Sequence, residues 1–126
     1  MVMMEIIYTP QAPNPIGPYS QATKMQNMLF CSGQIAIEPE NGQFLQENIN
    51  LQTEQVCRNI QAVLRSAGLE LKHVVKTTCF LVESEDFVPF NEVYGRFFAH
   101  SPARSCVFVQ GLPKGAKVEI EVIAAF

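Results

Sequence analysis

Near the end of the chain two segments alternate in character with a period of two, Arg104-Ser105-Cys106-Val107-Phe108-Val109 and Val118-Glu119-Ile120-Glu121-Val122-Ile123. The turn Gln110-Gly111-Leu112-Pro113-Lys114-Gly115 separates them. Successive side chains of a strand project to opposite faces, so this pattern commits both segments to a sheet. Arg104, Cys106 and Phe108 share one face of the first segment, and Ser105, Val107 and Val109 the other. On the second, Val118, Ile120 and Val122 oppose Glu119, Glu121 and Ile123. A guanidinium and two carboxylates among residues that otherwise read as core mark where chemistry is expected, because a polar group in an apolar setting is the informative exception.

The remaining chain supplies partners for these strands. Met4 to Tyr8 is a short apolar run, and Pro10 to Pro18 contains four prolines that forbid helix and regular ladder bonding. That stretch reads as an ordered loop; Tyr19, just beyond it, taken alone, reads as a tyrosine at the edge of the core. Ala22–Met25 and Met28–Ile37 form a hairpin around Gln26-Asn27. Gly33 within the second arm marks a bulge or a close approach, and with Ser32 it could present backbone N–H groups to a carboxylate. Glu38 to Gln43 is a turn. A first helix starts at an Asn50 cap, buries Val56, Ile60, Val63, Leu64 and Ala67, and ends with Gly68 in the left-handed position. Its polar residues, Gln52, Glu54, Gln55, Arg58, Asn59 and Arg65, read as a solvated face. Val74–Val82, β-branched and aromatic, returns as a strand and completes a β-α-β crossover. Ser84-Glu85-Asp86 then caps a second helix with the apolar set Phe87, Phe90, Val93, Tyr94, Phe97 and Phe98, ending near Ala99 to Pro102. Asn91, one turn before Tyr94, flanks either core or site.

These elements predict an α+β fold in which one mixed sheet carries both helices on one face, as a single domain over 1–126. Strands such as Cys79–Val82 and Val107–Val109 are apolar on both sides, so the second face requires a cover that a homo-oligomer would supply. Net charge is −3, and the nine Lys and Arg are scattered, which argues against a nucleic-acid groove. No signal-peptide pattern and no apolar run near the roughly twenty residues of a membrane span is visible, so the expected location is cytoplasmic with no membrane partner. The four cysteines form no CxxC pair and only His73 and His100 could join them, so no metal site is expected. Cys31, Cys57 and Cys79 read as small buried hydrophobes in a reducing compartment, and His100 as a titrating surface residue.

Six segments in order extend over nearly the whole chain: Ile16-Gly17-Pro18-Tyr19-Ser20-Gln21, Ser32-Gly33-Gln34-Ile35, Val75-Lys76-Thr77-Thr78, Asn91-Glu92-Val93-Tyr94, Pro102-Ala103-Arg104-Ser105-Cys106-Val107 and Leu112 to Glu121. Together they resemble the RidA/YjgF/UK114 family of reactive intermediate imine deaminases, also labelled endoribonuclease L-PSP proteins. The resemblance implies a chorismate-mutase-like (YjgF/L-PSP) fold and a homotrimer with inter-subunit sites. It implies hydrolytic deamination of 2-aminoacrylate and 2-iminobutanoate to 2-keto acids and ammonia, protecting pyridoxal-phosphate enzymes, with no metal or cofactor. Carried onto this sequence, the family pattern makes Arg104 the carboxylate anchor and Glu119 the water-handling acid. Tyr19, Ser32, Gly33, Asn91 and Cys106 would line the same cleft, and Glu121 would be structural.

The residue types suit that chemistry. A 2-imino acid offers one strong handle, its carboxylate, and guanidinium grips carboxylate bidentately. A charge-assisted contact of this kind is worth about 1.5–3 kcal/mol, and a positioned acid–base group about 10²–10⁴-fold in rate. Cys106 has no histidine in a pairing pattern and is not expected to act as a nucleophile. Two departures from the family pattern, the short Ala99-His100-Ser101 and the presence of Phe108 with Gln110-Gly111, bear on the cleft rim and on substrate size. A non-catalytic trimeric metabolite-binding or chaperone-like module and an RNA-cleaving translation inhibitor are the competing readings.

Overall fold

The computed structural model describes residues 3–126; residues 1 and 2, at the head of the domain expected over 1–126, lie outside the described residues. Six strands, β1 (Glu5–Ile7), β2 (Ala22–Met25), β3 (Met28–Gln34), β4 (Val74–Leu81), β5 (Ala103–Phe108) and β6 (Val118–Ala125), make one sheet in the order β1-β2-β3-β6-β4-β5. All neighbours are antiparallel except β4 and β5. Helix α1 (Ile49–Ser66) leads from β3 to β4, and α2 (Phe87–Phe97) from β4 to β5. The last strand therefore inserts between β3 and β4. Its Val118, Ile120, Val122 and Ala124 are no more than 2% exposed, which is the burial a central strand requires.

Both helices cover one face of the sheet. Val56, Ile60, Val63 and Leu64 of α1 and Phe90 and Tyr94 of α2 join Leu29, Cys31, Cys79, Leu81 and the buried side of β6 in one core. Cys31, Cys57 and Cys79 are buried there as expected. The opposite face has no cover among the described residues, and Phe30 and Val107 on it are each 44% exposed. The proline-rich segment is held by Gln21, 1% exposed, whose side chain bonds both the N–H and the carbonyl of Thr9 and the Pro13 carbonyl. No helix of the described residues is long and apolar enough to cross a membrane.

Several local expectations are corrected. The α1 cap is Asn48, not Asn50: its Oδ1 accepts from the Leu51 N–H at 3.0 Å, and the buried Ile49 draws the helix start back into the core. Gln52 and Asn59 are 2% and 1% exposed rather than solvated. Gln52 bonds the Glu47 carbonyl and the Lys117 N–H, and Asn59 the Ile35 and Ile37 carbonyls, so the helix is tied to irregular backbone that lacks ladder partners. That irregular backbone is itself a correction, since β3 stops at Gln34 and Ile35–Ile37 leaves the ladder. Ser84–Asp86 forms a single 3₁₀ turn ahead of α2 with no side-chain cap; the Ser84 hydroxyl bonds Glu85 instead. Gly68 does take the left-handed position, at φ 82°.

Candidate active site

Glu119 sits where β3 bulges. Cys31 pairs with Val122 and Gln34 with Ile120, so Ser32 and Gly33 together oppose Glu121, and the extra residue bends β3 toward its neighbour. The Glu119 side chain lies directly over Gly33. A Cβ at position 33 would fall 2.9 Å from its Cδ and 3.1 Å from its Cγ, and would collide with Oε2. Gly33 is thus the floor under the carboxyl, a use of glycine that depends on close approach and not on an unusual φ. Burial and the like charge of Glu121 raise the Glu119 pKa. Around it opens a cleft of about 340 Å³ lined by Pro13, Asn14, Ile16, Tyr19, Ser32, Gly33, Gln34, Ile35, Ile37 and Pro113. Tyr19 is 46% exposed and its hydroxyl accepts from the Ile16 N–H at 3.3 Å, while Ser32 donates to the Ser20 carbonyl at 2.6 Å. Three of the expected cleft residues, Tyr19, Ser32 and Gly33, therefore gather with Glu119.

Arg104 and Asn91 meet elsewhere. Arg104 Nη1 donates to Asn91 Oδ1 at 2.8 Å, and the guanidinium stands 4.8 Å from the Tyr94 ring centroid. It pairs with no carboxylate among the described residues, where the ion pairs are Arg58–Glu54 and Arg65–Glu70. An open hollow beside it is bounded by Tyr94, Gly95, Phe98, Ala99, Ser101 and Pro102. Cys106, two residues along β5, is half-buried on the same side, and burial pushes its thiol up while Arg104 partly offsets the rise. Cys79, paired with it across β4, is pushed up to about 12 by burial. Neither is poised as a thiolate.

The strand register puts these two groups on opposite sides of the sheet. Arg104 pairs with Thr77, which faces the helices and is 0% exposed; Glu119 pairs with Phe80, three residues along the same strand and so on the open face. Within one chain the expected anchor and the expected acid do not share a cleft. Glu121 is exposed on the Glu119 face, opposite Thr78. His100 is exposed, but its Nε2 is bonded to the Val74 carbonyl at 2.9 Å, so it ties the α2–β5 connection to β4. The sequence reading missed Tyr94 as a neighbour of Arg104. The signal was its spacing, since Phe87, Phe90, Asn91 and Tyr94 fall at i, i+3, i+4 and i+7 of one helix.

The family model described as Endoribonuclease L-PSP matches residues 9–126. The chain belongs to the RidA/YjgF/L-PSP family. A RutC family protein of Pyrococcus horikoshii is 50% identical over 97% of this chain and 98% of that protein. Within the family, the chloroplastic Reactive Intermediate Deaminase A of Arabidopsis thaliana is 46% identical over 98% of this chain and 66% of its own length. The crystal structure of E. coli TdcF with bound serine matches with a TM-score of 0.92 at 40% identity, covering 97% of this chain and 98% of that one. The YjgF/L-PSP fold is accordingly the fold of this chain, with its single mixed sheet and two helices.

Proposed function

We propose that the protein hydrolyses small 2-imino and 2-enamino acids, 2-aminoacrylate and 2-iminobutanoate among them, to 2-keto acids and ammonia, in clefts completed by a neighbouring copy in a homotrimer. The observation that carries this is the division of labour across the sheet. A half-buried guanidinium with no carboxylate partner among the described residues lies on edge strand β5, and a carboxyl of raised pKa lines a cleft on the open face. A copy whose β5 edge lay over its neighbour's open face would cover exposed Phe30 and Val107 and bring Arg104 of one chain to Glu119 of the next. The apolar character of that face supports such a cover.

In this reading Arg104 grips the substrate carboxylate and leaves C2 over Glu119. An enamine is first protonated at C3 by solvent water to give the iminium, C2=NH2+. The Glu119 carboxylate then takes a proton from water as the hydroxide oxygen bonds to C2. The same carboxylic acid returns that proton to the amino nitrogen of the tetrahedral adduct. The C2–N bond then breaks, its electron pair leaving with ammonia, as the hydroxyl oxygen forms the C2=O bond of the 2-keto acid and gives its proton up to the Glu119 carboxylate. A carboxyl whose pKa is raised by burial and by Glu121 is a better proton acceptor than a free carboxylate, which favours the first half of this transfer. Water is the only co-reactant, so the step calls for no cofactor, and the compartment implied is the cytoplasm where dehydratases form such species. A second reading has one specific support, the bound serine in E. coli TdcF: the cleft would bind a small amino or keto acid without turnover. RNA cleavage is disfavoured by the net charge of −3 and the scattered cations.

The test generates 2-aminoacrylate or 2-iminobutanoate in situ with a dehydratase and follows keto-acid release. Wild type should accelerate release, Arg104→Ala should abolish the effect, and Glu119→Gln should lower it by about 10²–10⁴-fold. Refolding Arg104→Ala with Glu119→Gln in equal amounts should restore about a quarter of the sites, because each intact cleft then draws one residue from each parent. Failure to accelerate any small imino acid would select the binding module, and mixtures as inactive as the parents would refute shared clefts.

A further inference from the structure

We infer that Tyr94 is a positioning residue that holds Arg104 in its carboxylate-binding orientation, an inference that rests on the reading of Arg104 as the anchor. Phe87, Phe90, Asn91 and Tyr94 project from one side of α2 and surround the Arg104 guanidinium, with Asn91 and Tyr94 the nearest to it. The Arg104 Cζ lies 5.9 Å from the ring centroids of Phe87 and Phe90, and 4.8 Å from that of Tyr94. A guanidinium over an aromatic face is attracted by the ring quadrupole, the more so out of water. Asn91 fixes the remaining rotation by accepting from Nη1, which leaves the other N–H donors for a ligand.

The Tyr94 ring is itself fixed at both ends. Its face stacks on Phe98 with centroids 4.7 Å apart, and its hydroxyl is 2.7 Å from Thr77 Oγ1. Thr77 is the residue paired with Arg104 in the β4–β5 ladder. The ring is thus tied to the strand position beside the arginine's own backbone, and the long side chain loses its freedom when the protein folds and not when carboxylate binds. A group that favours bound substrate and transition state equally changes substrate binding and leaves turnover alone. Tyr94 therefore acts through Arg104 on affinity.

The experiment compares full-length wild type, Tyr94→Phe and Tyr94→Leu in two assays: the dehydratase-coupled keto-acid assay, and calorimetric titration with 2-oxobutanoate as the carboxylate probe. Tyr94→Leu should raise KM and the probe Kd about tenfold with kcat within about twofold, between the sizes of an exposed and a fully desolvated cation–π contact, as suits a half-buried guanidinium. Tyr94→Phe keeps the ring, still held by its stack on Phe98, and should keep KM and Kd within about twofold of wild type, even though loss of the Thr77 bond lowers its Tm. In ligand-free wild type, the Arg104 side-chain proton resonances should be displaced upfield by the Tyr94 ring current, a readout that does not depend on a variant folding. Unshifted resonances, a Tyr94→Leu protein with unchanged Kd, or a Tyr94→Phe protein as impaired as Tyr94→Leu would each overturn the assignment. A wild type that binds the probe but does not speed imine hydrolysis would sink the deaminase reading alone, and the Kd comparison would still decide Tyr94. A wild type that does not bind the probe would remove Arg104 as the anchor, and Tyr94's role with it.

Discussion

Replacing Gly33 by alanine tests the closest contact in the candidate site. The new Cβ would lie 2.9 Å from Glu119 Cδ and 3.1 Å from Cγ, well inside the roughly 3.5–4.0 Å at which carbons attract. Since the colliding atoms end a flexible side chain, the carboxyl can swing away at the cost of an off-rotamer torsion, about 0.5–1.5 kcal/mol. Gly33 is not among the positive-φ glycines, so the backbone adds no strain. Alanine even gains about 0.4–1 kcal/mol by restricting the unfolded chain. Stability should therefore change by under about 1 kcal/mol, while the proposed imine hydrolysis should slow about 10²-fold or more, since a displaced carboxyl would not reach the water that the proposal assigns to it. In a Glu119→Ala background nothing is left to strike, and Gly33→Ala should become neutral or stabilising, with no further loss of activity. Urea unfolding at fixed protomer concentration gives the four free energies of the cycle, and the keto-acid assay the four rates. Equal stability changes from Gly33→Ala with and without Glu119, or a Gly33→Ala protein of wild-type activity, would refute this account.

Three further outcomes follow from the same structure. The Glu119 carboxyl is raised above its ordinary 4.5 by burial and by Glu121, so the folded state binds more protons between that value and the raised one. Stability should fall as pH rises through this window and stay lower above it; Glu119→Gln should remove that fall and be the more stable protein at pH 7, as read by urea midpoints across pH. Asn48→Ala should cost about 1 kcal/mol by removing the α1 cap, whereas Asn50→Ala should stay within about 0.5 kcal/mol, both by chemical denaturation. Asn59→Leu should cost about 1–3 kcal/mol because the Ile35 and Ile37 carbonyls lose their donor, with a matching drop in Tm.

The element order, both helices, the hairpin and the Gly33 bulge were legible in the sequence because each rests on a short-range signal: period-two alternation, a 3.6-residue apolar stripe, a turn residue or a left-handed glycine. The α1 start was read two residues late because Asn48 and Asn50 are equally good caps by type, and only the burial of Ile49 separates them. From sequence alone Gln52 and Asn59 look solvated for a related reason. Their polarity is a local fact, but the carbonyls and N–H groups that bury them belong to segments distant in sequence, Ile35–Ile37 and Lys117.

What the sequence alone determined is the inventory: the strands that carry Arg104 and Glu119, and the face of its own strand on which each lies. Tertiary structure decided where those faces point. Insertion of β6 between β3 and β4 leaves Glu119 opposite Phe80, while the parallel β4–β5 register leaves Arg104 opposite Thr77, and an offset of three residues on β4 turns the two to opposite sides of the sheet. Alternation along one strand says nothing about register against another, because register depends on hydrogen bonds between segments that meet only after the chain has folded.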